Sequence, residues 1–147
     1  LSAPLTSVKV IEEGTPASYG GTWQAPSRRW VGLVPLGYGD GILRAASNGA
    51  PVAVETDSGL VKAHVVGRIC MDQFNIDLGP AEGREGTATQ NSGSAPAKVG
   101  DRAILFGDPA KGYPIADEWA AHAGTINYEV ITRLGERIPR QYVNEEE

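Results

Sequence analysis

Through most of this chain, apolar residues alternate with polar ones over short stretches instead of recurring at helical spacing, as strands with one buried face do. Val8 and Val10 alternate with Ser7 and Lys9, and residues 22–25 and 29–36 read as further strands. Residues 51–55 and 60–66 flank Thr56-Asp57-Ser58-Gly59, whose Asp, Ser and Gly suit a tight hairpin. Residues 71–78 set Met71, Gln73, Asn75 and Asp77 against Asp72, Phe74, Ile76 and Leu78, which predicts a half-buried strand beginning at Met71. Residues 103–107 resume strand character. The period then changes: residues 117–122 predict a short helix closed by Gly124, and residues 128–134 a second closed by Gly135. Residues 138–143 return to strand. Residues 79–97 are rich in Gly, Ala, Ser, Thr and Pro without apolar periodicity, and read as a mobile loop. The sum is a mainly β domain, a closed or partly closed barrel, with short helices near its C-terminal end. The alternating βαβ pattern of a dinucleotide fold is missing.

Length and charge narrow the partners. The 147 residues suit one domain spanning 1–147, large enough for a single core. A net charge of −5 argues against nucleic acid, which needs a basic surface to release counterions. Residues 144–147 read as a solvated acidic tail. Cys70 is the only cysteine, so no intramolecular disulfide forms, and no apolar run is long enough for a membrane-spanning helix. The expectation is a soluble, cytoplasmic protein. The first residue is Leu1 instead of methionine, which suggests a piece of a longer chain.

Four segments are candidates to carry chemistry. Gly37-Tyr38-Gly39-Asp40-Gly41 places three glycines in five positions directly after an apolar strand, a sharp turn able to hold a phenol at a pocket rim. It lacks the Lys-Ser/Thr pair of a P-loop and opens no helix, so a nucleotide is unsupported. Gly67-Arg68-Ile69-Cys70-Met71-Asp72-Gln73 gathers a cation, a thiol, a thioether and a carboxylate on a turn. One cysteine and two isolated histidines, His64 and His122, do not make a zinc site or a cysteine–histidine pair, so no metal is expected. Gly124-Thr125-Ile126-Asn127-Tyr128 opens a helix whose first amides suit an anion. Arg137-Ile138-Pro139-Arg140-Gln141-Tyr142 reads as a basic-edged final strand.

Taken in order with Ser18-Tyr19-Gly20-Gly21-Thr22-Trp23, these segments resemble the C-terminal domain of the alanine racemase family, with residues 79–97 the main unmatched stretch. The resemblance implies a two-domain enzyme that interconverts L- and D-alanine. An N-terminal (β/α)8 barrel would carry the lysine that binds pyridoxal 5′-phosphate. The β domain of one subunit would cover the barrel of the other in a head-to-tail homodimer, so this chain alone would be inactive and carry no cofactor. By the same resemblance Tyr38 is the catalytic tyrosine, the main chain of Met71 touches the substrate carboxylate, and Tyr128 contacts the cofactor phosphate. Arg68 and Ile126 match entrance positions, and Tyr19, Cys70 and Asp72 match positions read as structural. Lys9, Lys62, Lys98 and Lys111 lie outside any cofactor-lysine motif. Two alternatives stay open: a non-catalytic β module for dimerisation or ligand binding, and a racemase of broader amino-acid specificity. The related decarboxylases differ at the Tyr38 and Gly67 to Gln73 segments.

Overall fold

The computed structural model describes residues 1–81 and 94–142. Most of the predicted 79–97 loop, the acidic tail and Val143 lie outside the described residues. The strands are β1 (Ser2–Pro4), β2 (Ser7–Ile11), β3 (Pro16–Ala17), β4 (Trp23–Gln24), β5 (Arg29–Val34), β6 (Pro51–Thr56), β7 (Gly59–Val66), β8 (Phe74–Pro80) and β9 (Arg102–Ile104). The helices are α1 (Ala116–Ala123) and α2 (Asn127–Thr132).

Seven strands form one antiparallel sheet in the order β1-β9-β6-β7-β8-β5-β2, and β3 and β4 pair separately. The two edge strands are consecutive in sequence, joined only through Leu5 and Thr6. Leu5 N–H donates to Asp101 O at 2.8 Å on the β9 side, and Thr6 N–H donates to Leu33 O at 3.0 Å on the β5 side. A junction this short, bonded to both edges, requires the sheet to curl until its ends meet. Val52 and Val54 of β6, Val65 of β7, and Phe74, Ile76 and Leu78 of β8 lie at alternate positions and fill the core with Leu5, Val34 and Leu105.

Asp77 belongs to the other face of β8 yet is only 5% exposed. Its carboxylate accepts Arg29 Nε at 3.0 Å and Nη2 at 2.6 Å from β5, and His64 of β7 stands 4.0 Å away. Removing one partner of a buried pair leaves an uncompensated charge. Arg29→Met is therefore expected to lower stability by about 3 kcal/mol, and the double change Arg29→Met with Asp77→Leu by clearly less, as urea unfolding would measure.

Three predicted boundaries differ. The strand expected from Met71 begins at Phe74, because Cys70 N–H donates to Gln73 O and closes residues 70–73 into a turn. The second helix ends at Thr132, before Gly135, whose N–H donates to Asp40 O and so leaves the helical ladder. Residues 138–142 are not a strand; they follow α2 without a sheet partner, tied by Arg140 Nη2 to Leu134 O at 2.8 Å.

Candidate functional site

Strand directions gather the four segments. β5 and β7 finish at the same end of the sheet where β6 and β8 begin, since Val34 pairs with Phe74 and Pro51 with His64. The Tyr38 turn leaves β5 and the Gly67 to Gln73 turn leaves β7, so both open at that end. Helix α1 also docks there: Trp119, 1% exposed, donates from Nε1 to Pro51 O at 2.8 Å and meets Phe74 edge to face at 6.1 Å. Gly124, in the left-handed region, ends α1 and leads into α2.

Close main-chain approach explains the glycines around Tyr38. Tyr38 N–H donates to Cys70 O at 3.0 Å and Gly39 N–H to Met71 O at 2.8 Å, so the two turns are bonded backbone to backbone. A Cβ on Gly37 would lie 2.2 Å from Cys70 O, and one on Gly41 would lie 1.9 Å from Arg133 O. Asp40, 5% exposed, accepts Gly37 N–H at 2.8 Å and so braces the turn from within. Arg137 reaches the same carboxylate with Nε at 3.2 Å and bonds Asp72 with Nη2 at 2.6 Å. The hydrogen bond to Asp72 first, then the charge of Asp40, holds this guanidinium protonated beyond its ordinary range. Tyr38 itself is 45% exposed and shares an open concavity with Gly41, Ile42, Leu43, Arg44 and Arg133.

The Ser18–Tyr19 turn is the strained part of the site. Ser18 has φ 64° and ψ −174°, a region essentially reserved for glycine that costs a side-chain-bearing residue roughly 1–3 kcal/mol. Its hydroxyl donates to Arg68 O at 2.5 Å and lies 3.2 Å from Cys70 Sγ, which over-determines that conformation. The result projects Tyr19, 73% exposed, at the rim of a cleft shared with Lys9, Ser18, Cys70 and Gln73. Arg68 packs its guanidinium on this turn, since a Cβ on Gly20 would lie 2.9 Å from Nη1. Ile126, 64% exposed, caps α2 on a separate segment, with Tyr128, 71% exposed, two residues on.

Met71, 53% exposed, and Tyr38 are brought together through the main chain of residues 37–39 and 70–71. Tyr128 joins them indirectly: α2 runs into Arg133 and Leu134, which lie against Gly41, and Gly135 N–H donates to Asp40 O at 2.9 Å. Two features escape the sequence. The strain at Ser18 has no sequence signal, although the glycines after Tyr19 repeat the pattern that singles out Tyr38. Arg137, expected on a final strand, instead inserts between Asp40 and Asp72.

The fold is a curled antiparallel β domain followed by two short helices, and it carries exposed tyrosines on glycine-rich turns and at a helix start. The chain belongs to the alanine racemase family, as its C-terminal domain: the family described as "Alanine racemase, C-terminal domain" matches residues 1–142. The alanine racemase of Streptomyces coelicolor is 46% identical over 145 residues, which is 99% of this chain and 32% of that protein. The solved structure of a Streptomyces coelicolor A3(2) alanine racemase superposes with a TM-score of 0.81 at 43% identity, covering 98% of this chain and 33% of the other. The Bacillus anthracis alanine racemase, solved with bound L-Ala-P, superposes with a TM-score of 0.77 at 31% identity, covering 98% of this chain and 32% of the other. The chain therefore spans about a third of the length of these relatives. The barrel-like β fold expected from sequence is the fold these structures share.

Proposed function

We propose that this chain completes the active site of a pyridoxal-phosphate-dependent racemase that interconverts L- and D-alanine, supplying a tyrosine that moves the substrate α-proton on one face. The carrying observation is the main-chain lock between the Tyr38 and Met71 turns, Tyr38 N–H to Cys70 O at 3.0 Å and Gly39 N–H to Met71 O at 2.8 Å, with α2 and its Tyr128 held to the same turn through Arg133 and Gly135. The strained Ser18 makes the Tyr19 turn the second candidate, since backbone strain clusters at active sites.

Two phenols compete for the role. The family resemblance and the lock to the Met71 turn put the base at Tyr38; the backbone strain at Ser18 is the observation that favours Tyr19. Tyr38 opens onto a concavity lined by Arg44 and by Arg133, whose Nε pairs with Glu129 at 3.2 Å. The brace of Asp40 and Arg137 on its turn holds Tyr38 in place. The L-Ala-P bound to the Bacillus anthracis relative supports the same ligand class here.

Pyridoxal 5′-phosphate, when bound, draws electrons from the α-carbon and makes its proton accessible to a side-chain base. The residues present fit a partial share of that group. The Tyr128 hydroxyl at the start of α2 is available to a phosphate, and the main chain of Met71 to a carboxylate. Inversion needs proton delivery to the face opposite the tyrosine, which calls for a second base. Lys62, Lys98 and Lys111 are exposed away from both tyrosine-lined hollows, with Lys98 paired to Asp57, and Lys9 alone shares the Tyr19 cleft. We assign the cofactor lysine, and with it the second base, to an N-terminal barrel supplied by the rest of the protein in a homodimer. Borohydride reduction of the full-length protein with its cofactor should then label one lysine stoichiometrically outside this chain. Stoichiometric labelling of Lys9 would sink that assignment.

A further inference from the structure

We propose that Arg137 is a positioning residue of this site, a clamp that sets the spacing between the Tyr38 turn, the Met71 turn and the segment after α2; the proposal rests on the racemase reading above. Those three segments are far apart in sequence, and Arg137 touches all three. It faces Asp40 with Nε at 3.2 Å, bonds Asp72, the residue after Met71, with Nη2 at 2.6 Å, and itself belongs to the segment that follows α2. Its Nη1 lies over Gly39, only 2.6 Å from where a Cβ would stand, so the guanidinium covers the peptide next to Tyr38.

The geometry explains why a planar fork is needed. Asp40 is buried and already accepts Gly37 N–H, so a single cation must approach its remaining oxygen while reaching a second carboxylate on another turn. A guanidinium presents donors in several fixed directions, and an ammonium does not. Exposed ion pairs hold little energy each, and Arg137 is 56% exposed, as is Asp72 at 60%. The contribution is to alignment: the bonds from Tyr38 N–H to Cys70 O and from Gly39 N–H to Met71 O depend on the spacing that the clamp keeps. A displacement of about 1 Å at a positioning group is enough to lower catalysis by as much as ~10²-fold.

The test uses the full-length protein with Arg137→Met, Arg137→Lys and Asp72→Asn; the last removes an exposed carboxylate and leaves the fold least disturbed. In Arg137→Met and Asp72→Asn, amide hydrogen exchange at Tyr38 and Gly39 should quicken by about tenfold while the β6 and β7 amides keep their rates. The kcat/KM for alanine per folded protein should fall by about tenfold, with part of the loss in kcat, because the Tyr38 and Met71 turns shift relative to each other. Arg137→Lys should fall between wild type and Arg137→Met. Unchanged exchange at Tyr38 and Gly39, or activity lost only in proportion to folded protein with kcat/KM per folded protein constant, would overturn the clamp. A wild-type protein that does not interconvert alanine sinks the racemase reading, whereas amide exchange decides the clamp in either case.

Discussion

Tyr38→Phe in the full-length protein is expected to slow alanine racemisation by roughly 10²- to 10⁴-fold, the span that a positioned acid–base group supplies. The change deletes one oxygen and nothing else. The main-chain bonds of its turn to Cys70 O and Met71 O and the Asp40 brace do not involve the phenol, so the turn should persist. Circular dichroism and thermal unfolding should match wild type, since Tyr38 is 45% exposed. Tyr19→Phe should be milder, within about tenfold, because Tyr19 lines a different cleft. A polarimetric assay with both enantiomers separates the two. The opposite ranking, with Tyr19→Phe the silent enzyme, would move the base to the strained Ser18–Tyr19 turn.

Gly41→Ala should be the most damaging single-atom change to the fold. Gly41 sits at φ 96°, and an added Cβ would lie 1.9 Å from Arg133 O, a backbone atom that cannot turn aside. Left-handed strain of about 1–2 kcal/mol and overpacking of about 1–3 kcal/mol add to a loss of roughly 2–5 kcal/mol. Gly14 provides the control. It also has positive φ, 76°, but nothing within 4 Å of a Cβ, so Gly14→Ala should cost only about 1–2 kcal/mol. Urea midpoints of the two variants measure the difference directly. Similar losses in both would mean that α2 and the Tyr38 turn are not locked together as described. Arg133 can retreat only by moving α2, so Gly41→Ala should also shift Tyr128 and weaken cofactor retention.

Much of the architecture is legible in the residues. Alternation marks β2, β5, β6 and β7 within a residue or two, because one face of each strand must meet the core. The hairpin at Asp57-Ser58 follows from turn chemistry, and Gly124 ends α1 as its position implies. The misses have physical causes. Met71 to Gln73 continue the alternation of β8 but are diverted by the Cys70–Gln73 turn, a bond between main-chain atoms that side-chain pattern does not encode. Residues 138–142 have strand composition but are drawn back to the end of α2, where Arg140 Nη2 donates to Leu134 O at 2.8 Å. Asp77 reads as a solvent-facing position and is buried because Arg29 and His64 surround it from neighbouring strands.

The candidate turns stand out in the sequence, but their geometry does not. Glycine-flanked tyrosines mark both Tyr19 and Tyr38, yet residue identity alone does not tell which turn is strained. The distinguishing quantity is the ψ of −174° at a serine with positive φ, a property of three-dimensional context. Arg137 is likewise one arginine among several in a basic segment until Asp40 and Asp72 are seen on either side of it.

The central claim is that this chain supplies the base for one face of the substrate and another domain supplies the base for the opposite face. Solvent deuterium exchange at the alanine α-carbon, followed by NMR in D2O from each enantiomer separately, tests it most directly. In Tyr38→Phe, exchange should be lost from one enantiomer and kept, without inversion, from the other. Equal exchange from both enantiomers in Tyr19→Phe and in Tyr38→Phe would contradict the account.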